Sequence, residues 1–103
     1  MRIYIMDALR ISIPGRFELI RLTRDEFVSR VRAVANRREL VSAVWSPRVA
    51  EEIRWIACVP IYPREICIDP EPGDEILLAI PQTRATLRLA FALVRFLREE
   101  SDE

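Results

Sequence analysis

Histidine and lysine are both absent from this 103-residue sequence, and glycine and cysteine occur only twice each. Without histidine the chain cannot build a Cys2His2 zinc finger, a Ser-His-Asp triad, a Cys-His dyad or a His-anchored haem site. Without lysine it has no Schiff-base nucleophile and no P-loop lysine. All 16 basic residues are therefore arginines, so only arginine side chains can meet a phosphate. No run reaches the roughly 18 apolar residues of a membrane-spanning helix, and the N-terminus lacks the charged, apolar and small-residue succession of a signal peptide. The expectation is a cytoplasmic protein with no membrane segment.

The residues present are half apolar, and 16 acidic groups balance the 16 arginines. That composition is too apolar for a disordered segment. A chain of this length buries about two thirds of its unfolded surface, which predicts one domain over residues 1–103 without a metal or disulfide framework. Zero net charge argues against a groove for duplex nucleic acid, and the Arg37-Arg38 pair has no interleaved aromatics. Neither metal nor cofactor is expected. Cys58 and Cys67 stand nine residues apart, each in an apolar run, and read as reduced core thiols rather than a disulfide. The carboxylate pairs Glu51-Glu52 and Glu99-Glu100 point about 100° apart on a helix and read as solvated faces, as does the acidic C-terminal end. The richness in Arg and Glu suits a thermophilic source.

Residues 3–6 form a short apolar run, Pro14-Gly15 marks a turn, and residues 17–22 alternate, so two strands are predicted. Thr23-Arg-Asp-Glu26 has the spacing of a capping box, which starts a helix whose apolar positions Phe27, Val28, Val31 and Val34 fall on one face, ending near Asn36. Residues 39–45 are a nearly continuous apolar run suited to an inner strand. Ser46-Pro47 then combines an N-cap with a proline at the first helical position, and Val49, Ile53 and Ile56 carry that helix to about Cys58. Beyond Pro60 and Pro63, residues 64–68 and 75–80 read as strands joined by a turn at Pro70-Glu-Pro-Gly-Asp74. Residues 83–100, apolar over most of a helical surface apart from a basic stripe, read as a last helix. The order β-β-α-β-α-β-β-α predicts an α/β domain with a mixed sheet of about five strands flanked by helices.

Taken singly, Trp45 at a strand end can be a stacking platform or half-buried packing, and Arg64 and Arg84 read as surface residues. Together, Ile3-Tyr-Ile-Met-Asp-Ala-Leu9, Ser42-Ala-Val-Trp-Ser46, Arg64, Glu71-Pro-Gly-Asp74 and Pro81-Gln-Thr-Arg84 occur in the order and spacing of one family. The chain resembles the viral type III anti-CRISPR ring nucleases. That resemblance implies a small α/β homodimer that binds cyclic tetra-adenylate across its interface and cleaves it without metal. It places Arg64 and Arg84 where the family's arginines contact the cyclic nucleotide, and Asp7, Arg10, Trp45 and Ser46 beside the ligand. The family's strand usually ends in Asn-Ala with a polar residue shortly after, whereas here Asp7-Ala8 is followed by Leu9-Arg10. Its Gly-His, the His being the proton donor to the leaving 5′ oxygen, is replaced by Trp45-Ser46. Binding with slow or no cleavage is therefore expected; the alternatives are an active nuclease working by positioning and a non-catalytic dimer in which Trp45 closes the pocket. Asp7 and Glu39 are expected to add negative potential if they face the site.

Overall fold

The computed structural model describes residues 2–11, 15–37, 39–82 and 88–99, with Glu99 described by its backbone only. They form β1 (Ile3–Met6), β2 (Gly15–Leu22), α1 (Arg24–Ala35), β3 (Leu40–Ala43), α2 (Pro47–Ala57), β4 (Glu75–Pro81) and β5 (Leu89–Glu99). The strands make one mixed sheet in the order β2-β5-β4-β1-β3. β1 runs parallel to β3 and β4, while β5 runs antiparallel to β4 and β2. The α/β architecture and the mixed five-stranded sheet follow the expectation from sequence. No helix among the described residues is long and apolar enough to cross a membrane.

Two elements differ from that expectation. The predicted last helix is instead strand β5 from Leu89 onward, while residues 83–87 and 100 lie outside the described residues. β5 is inserted between β2 and β4, so one side of it (Leu89, Phe91, Leu93) meets the helices and the other (Ala92, Val94, Phe96) packs on the opposite face of the sheet. A strand buried on both faces is apolar at nearly every position, and that pattern also fits an all-round apolar helix. The predicted basic stripe dissolves accordingly: Arg95 reaches Glu75 at 3.2 Å and Glu18 at 3.7 Å. Residues 64–68, read as a strand, join no named strand of the sheet, and Ile68 makes an isolated bridge with Ile11. Pro60, Pro63 and Pro70 withhold backbone donors through this segment, which disfavours a sheet position.

Both helix starts form as their sequences dictate. The Thr23 hydroxyl accepts from the Glu26 N–H at 3.2 Å while the Glu26 carboxylate accepts from the Thr23 N–H at 3.0 Å, completing the capping box. Ser46 caps α2 by accepting from the Val49 N–H at 3.3 Å, with Pro47 at the first helical position. Cys58 ends α2 in the left-handed region at φ 55°. The Arg32 guanidinium donates to the Ala57 carbonyl at 2.8 Å, so α1 neutralises the carbonyl end of α2. Contrary to the expectation of core thiols, Cys58 and Cys67 are exposed and free. The cap turns Cys58 away from the core, and Cys67 lies in the proline-flanked segment outside the sheet.

Phe27, Val31, Val49, Ala50 and Ile53 pack both helices onto Ile3, Ile5, Leu77, Ala79 and Leu93 on one face of the sheet. On the opposite face Tyr4, Met6, Ile76, Leu78 and Val94 pack with Ile11, Ile66 and Ile68 from the chain segments that cross it. At the far edge, β2 begins close over the Phe96 ring. A side-chain carbon on Gly15 would collide with that ring and lie 2.7 Å from the Arg98 carbonyl oxygen. Gly15→Ala is therefore expected to lower stability by about 1–3 kcal/mol, read as a drop in Tm. Phe96→Leu in the same chain should recover part of the loss, whereas a Gly15→Ala protein as stable as the parent would contradict this packing.

The Glu71-Pro-Gly-Asp74 turn lies at the amino-terminal edge of the parallel strands. Buried Asp74 accepts from the N–H groups of Arg2 and Glu71, both at 2.8 Å, and Gly73 takes a φ of 93° that glycine adopts without strain. This block fixes the start of β4 beside β1 and is a fold element rather than part of a ligand site.

Candidate functional site

Because β1, β3 and β4 are parallel, Met6, Ala43 and Pro81 bring their carboxyl ends to one edge of the sheet. Ligands of open α/β sheets settle outside such ends. Asp7 follows β1 there, and Val44-Trp45-Ser46 leads from β3 into α2. Asp7 is only 6% exposed, and its carboxylate accepts three hydrogen bonds. Oδ1 accepts from the Trp45 N–H at 3.2 Å and pairs with the Arg10 guanidinium, and Oδ2 accepts from the Ser46 N–H at 3.0 Å. β3 therefore stops at Ala43 rather than running to Trp45, since the next N–H groups turn to Asp7 instead of to a neighbouring strand.

Arg10 is held twice. Besides its pairing with Asp7, its guanidinium lies 4.3 Å from the centroid of the Trp45 ring, a cation–π contact. The Trp45 indole N–H donates to the Ile66 carbonyl at 3.0 Å, so the half-buried ring is fixed from two directions. Ile66 belongs to the segment that runs along the outer edge of β3. There the Arg64 N–H donates to the Val44 carbonyl at 2.7 Å and the Ser42 hydroxyl donates to the Tyr62 carbonyl at 2.6 Å. The Arg64 side chain is exposed beside the β3–α2 junction.

Asp7, Arg10, Trp45 and Ser46 thus form one contact cluster with Arg64 next to it, whereas Arg84 lies outside the described residues. The expectation that Asp7 would project free negative charge is corrected: its charge is taken up by Arg10 and two backbone N–H groups. Glu39 is exposed and stands before β3, at the opposite end of that strand from Trp45.

Burial pushes the Asp7 carboxyl up, but the Arg10 hydrogen bond, the Ser46 and Trp45 N–H groups and the Arg10 charge together hold it below its ordinary 3.8. The folded protein thus binds this proton less readily than the unfolded chain does. Its contribution to stability is fully present above pH 3.8 and is lost as pH falls through the lower folded value. The Tm advantage of the parent over Asp7→Asn should be constant from neutral pH down to about 4 and shrink below it. A difference that instead grew on acidification would refute the assignment.

No family model matches the sequence, and no curated protein does. The fold has a solved counterpart. B116 of Sulfolobus turreted icosahedral virus superposes with a TM-score of 0.79, over 92% of this chain and 99% of that one, at 11% sequence identity. The likeness is one of fold, spans nearly the whole of both chains, and is to a viral protein.

Sequence reasoning missed the Ile66 carbonyl as the anchor of Trp45, since no side-chain type announces a backbone acceptor. It also passed over Trp55, which is 79% exposed on α2 beside Glu51 and Arg48. Its signal was present: two residues past Ile53, it falls about 200° around the helix from the buried stripe. Nearby, Arg54 lies 4.9 Å from the Tyr62 ring centroid and donates to the Ile61 carbonyl, tying the loop to α2.

Proposed function

We propose that the chain binds a cyclic oligoadenylate, cyclic tetra-adenylate foremost, as a homodimer at the carboxyl edge of its parallel strands, and cleaves it slowly or not at all. The observation that carries this reading is the position of Arg64. Its backbone bond to Val44 sets this exposed residue beside the junction where the resembling family keeps its proton donor. In a twofold dimer, two copies each of Arg64 and Arg84 would face the four phosphates of such a ring, and the fixed fork of guanidinium donors suits phosphate oxygens. The fold shared with a viral protein supports the reading at the level of architecture.

Attack of a ribose 2′-hydroxyl on its neighbouring phosphate is intramolecular, so alignment alone can accelerate it. The departing 5′ oxygen needs a proton, and the cluster offers no group suited to give one. Histidine is absent from the chain, Asp7 is held ionised, and the Ser46 hydroxyl is too weak an acid at neutral pH. Losing a general acid removes about 10²–10⁴-fold in rate, which favours sequestration over turnover.

Isothermal titration with cyclic tetra-adenylate, followed by chromatography of the recovered ligand after incubation at elevated temperature, tests both halves of the reading. One intact ring per dimer is the expected result. Linear diadenylate formed without metal would make the chain a nuclease that works by positioning. No binding would favour a second reading, which rests on Trp45. With Arg10 on its face and its N–H on Ile66, the indole closes the site, and the dimer itself or a protein partner is then the function.

A further inference from the structure

Asp7 accepts three hydrogen bonds from within the chain, and the group it neutralises, Arg10, lies 4.3 Å from the centroid of the Trp45 ring. We propose that Asp7 is a positioning residue that acts as a built-in competing anion: it holds Arg10 over the Trp45 ring and so withholds this guanidinium from phosphate-bearing ligands. This deepens the reading of the site as one for anions, and it assigns phosphate recognition to the exposed Arg64 while Arg10 stays committed.

The geometry supports it on three counts. The carboxylate is buried and carries three donors, so a phosphate approaching Arg10 has to displace a partner that is already desolvated and hydrogen-bonded. Two of those donors are backbone N–H groups of consecutive residues, Trp45 and Ser46, which lock the carboxylate to the strand-to-helix junction whatever Arg10 does. Finally, Trp45 is pinned by Ile66 on its N–H edge, so the ring cannot follow Arg10 outward without breaking a hydrogen bond. An amide at position 7 has nearly the same shape but only one acceptor oxygen and no charge. It would leave Arg10 without its ionic partner and set N–H donors against a donor.

The test uses the full-length protein with inorganic phosphate as the probe at constant ionic strength, with chloride as the control. It compares the parent, Asp7→Asn, and Asp7→Asn combined with Arg10→Ala, each in a Trp55→Phe background so that emission reports Trp45. Asp7→Asn should show saturable phosphate binding at least about tenfold tighter than the parent, with a change in Trp45 emission, and removal of Arg10 should abolish both. Asp7→Glu, which restores the charge, should suppress the response again; a purely structural role for Asp7 would not be rescued in this way.

Equal phosphate response in parent and Asp7→Asn, or a response that survives loss of Arg10, would overturn the proposal. Should Asp7→Asn not fold, the parent decides: its Trp45 emission should be insensitive to phosphate, and a saturable change would count against the latch. The experiment separates cleanly from the functional reading, because cyclic tetra-adenylate binding by the parent tests that reading alone. Failure there, with the phosphate arms as expected, would leave the latch standing.

Discussion

A Phe96→Ala protein should lose about 3–5 kcal/mol of stability. Phe96 is completely buried. Its ring centroid lies 5.0 Å from that of Phe17, tilted by 42°, and its edge fills the space left by the missing side chain of Gly15. Its backbone is equally committed, since its N–H donates to the Asp74 carbonyl at 3.0 Å and its carbonyl accepts from Gly73 at 2.9 Å. With both main-chain groups tied to the turn before β4, the strand resists shifting to fill the vacated volume, which places the loss toward the upper end of the range. A domain of this size holds about 5–15 kcal/mol in total, so the variant should be near its folding limit at 37 °C. Urea titration should show a much lower midpoint with an unchanged slope. Trp55→Ala, at a site 79% exposed, should stay within about 0.5 kcal/mol of the parent. A Phe96→Ala protein as robust as Trp55→Ala would mean that Phe96 does not hold the β2–β5 end together.

Under the binding reading, replacing both Arg64 and Arg84 with alanine should weaken cyclic tetra-adenylate binding by at least about 10²-fold. A hydrogen bond to a charged group contributes about 1.5–3 kcal/mol, and a symmetric dimer would lose every such contact twice. Arg64 is exposed, and its structural tie runs through the backbone N–H that alanine keeps, so Arg64→Ala should melt like the parent. Arg37→Ala, an exposed change at the other end of the sheet, serves as the control and should bind as the parent does. Unchanged affinity in the double variant would remove these two arginines from the site, whatever the ligand does elsewhere on the protein.

Much of the fold was legible wherever local chemistry and burial pattern agree. Thr23 and Glu26 mark one helix start and Ser46-Pro47 the other because capping is a matter of a few adjacent atoms. β1 and β4, short and apolar between turn signals, were equally plain. β5 was not, because insertion between two strands buries both of its sides and erases the alternation that distinguishes a strand from a helix. The cysteines misled for a related reason: an apolar neighbourhood in sequence suggests a core, but Cys58 falls at a left-handed cap and Cys67 beyond the sheet. At the site, the residues of the cluster were named in advance, but not what they do to one another. That Asp7 meets Trp45 and Ser46 across 38 and 39 positions of sequence follows from the parallel pairing of β1 with β3, and no local pattern encodes it.

The spatial order of the strands also dictates when this protein can fold during its synthesis. β1 leaves the ribosome first yet lies inside the sheet, waiting for β3 on one side and for β4, whose Glu75 is the register partner of Ile3, on the other. β2 emerges second and has no partner among the first four strands; only β5, the last to appear, joins it to the rest. A nascent chain stopped before residue 89 therefore carries an unpaired eight-residue strand and an open edge on β4, the kind of surface that recruits other chains. Folding of this sheet therefore waits on β5, and loss of that strand should yield aggregates rather than a smaller folded protein.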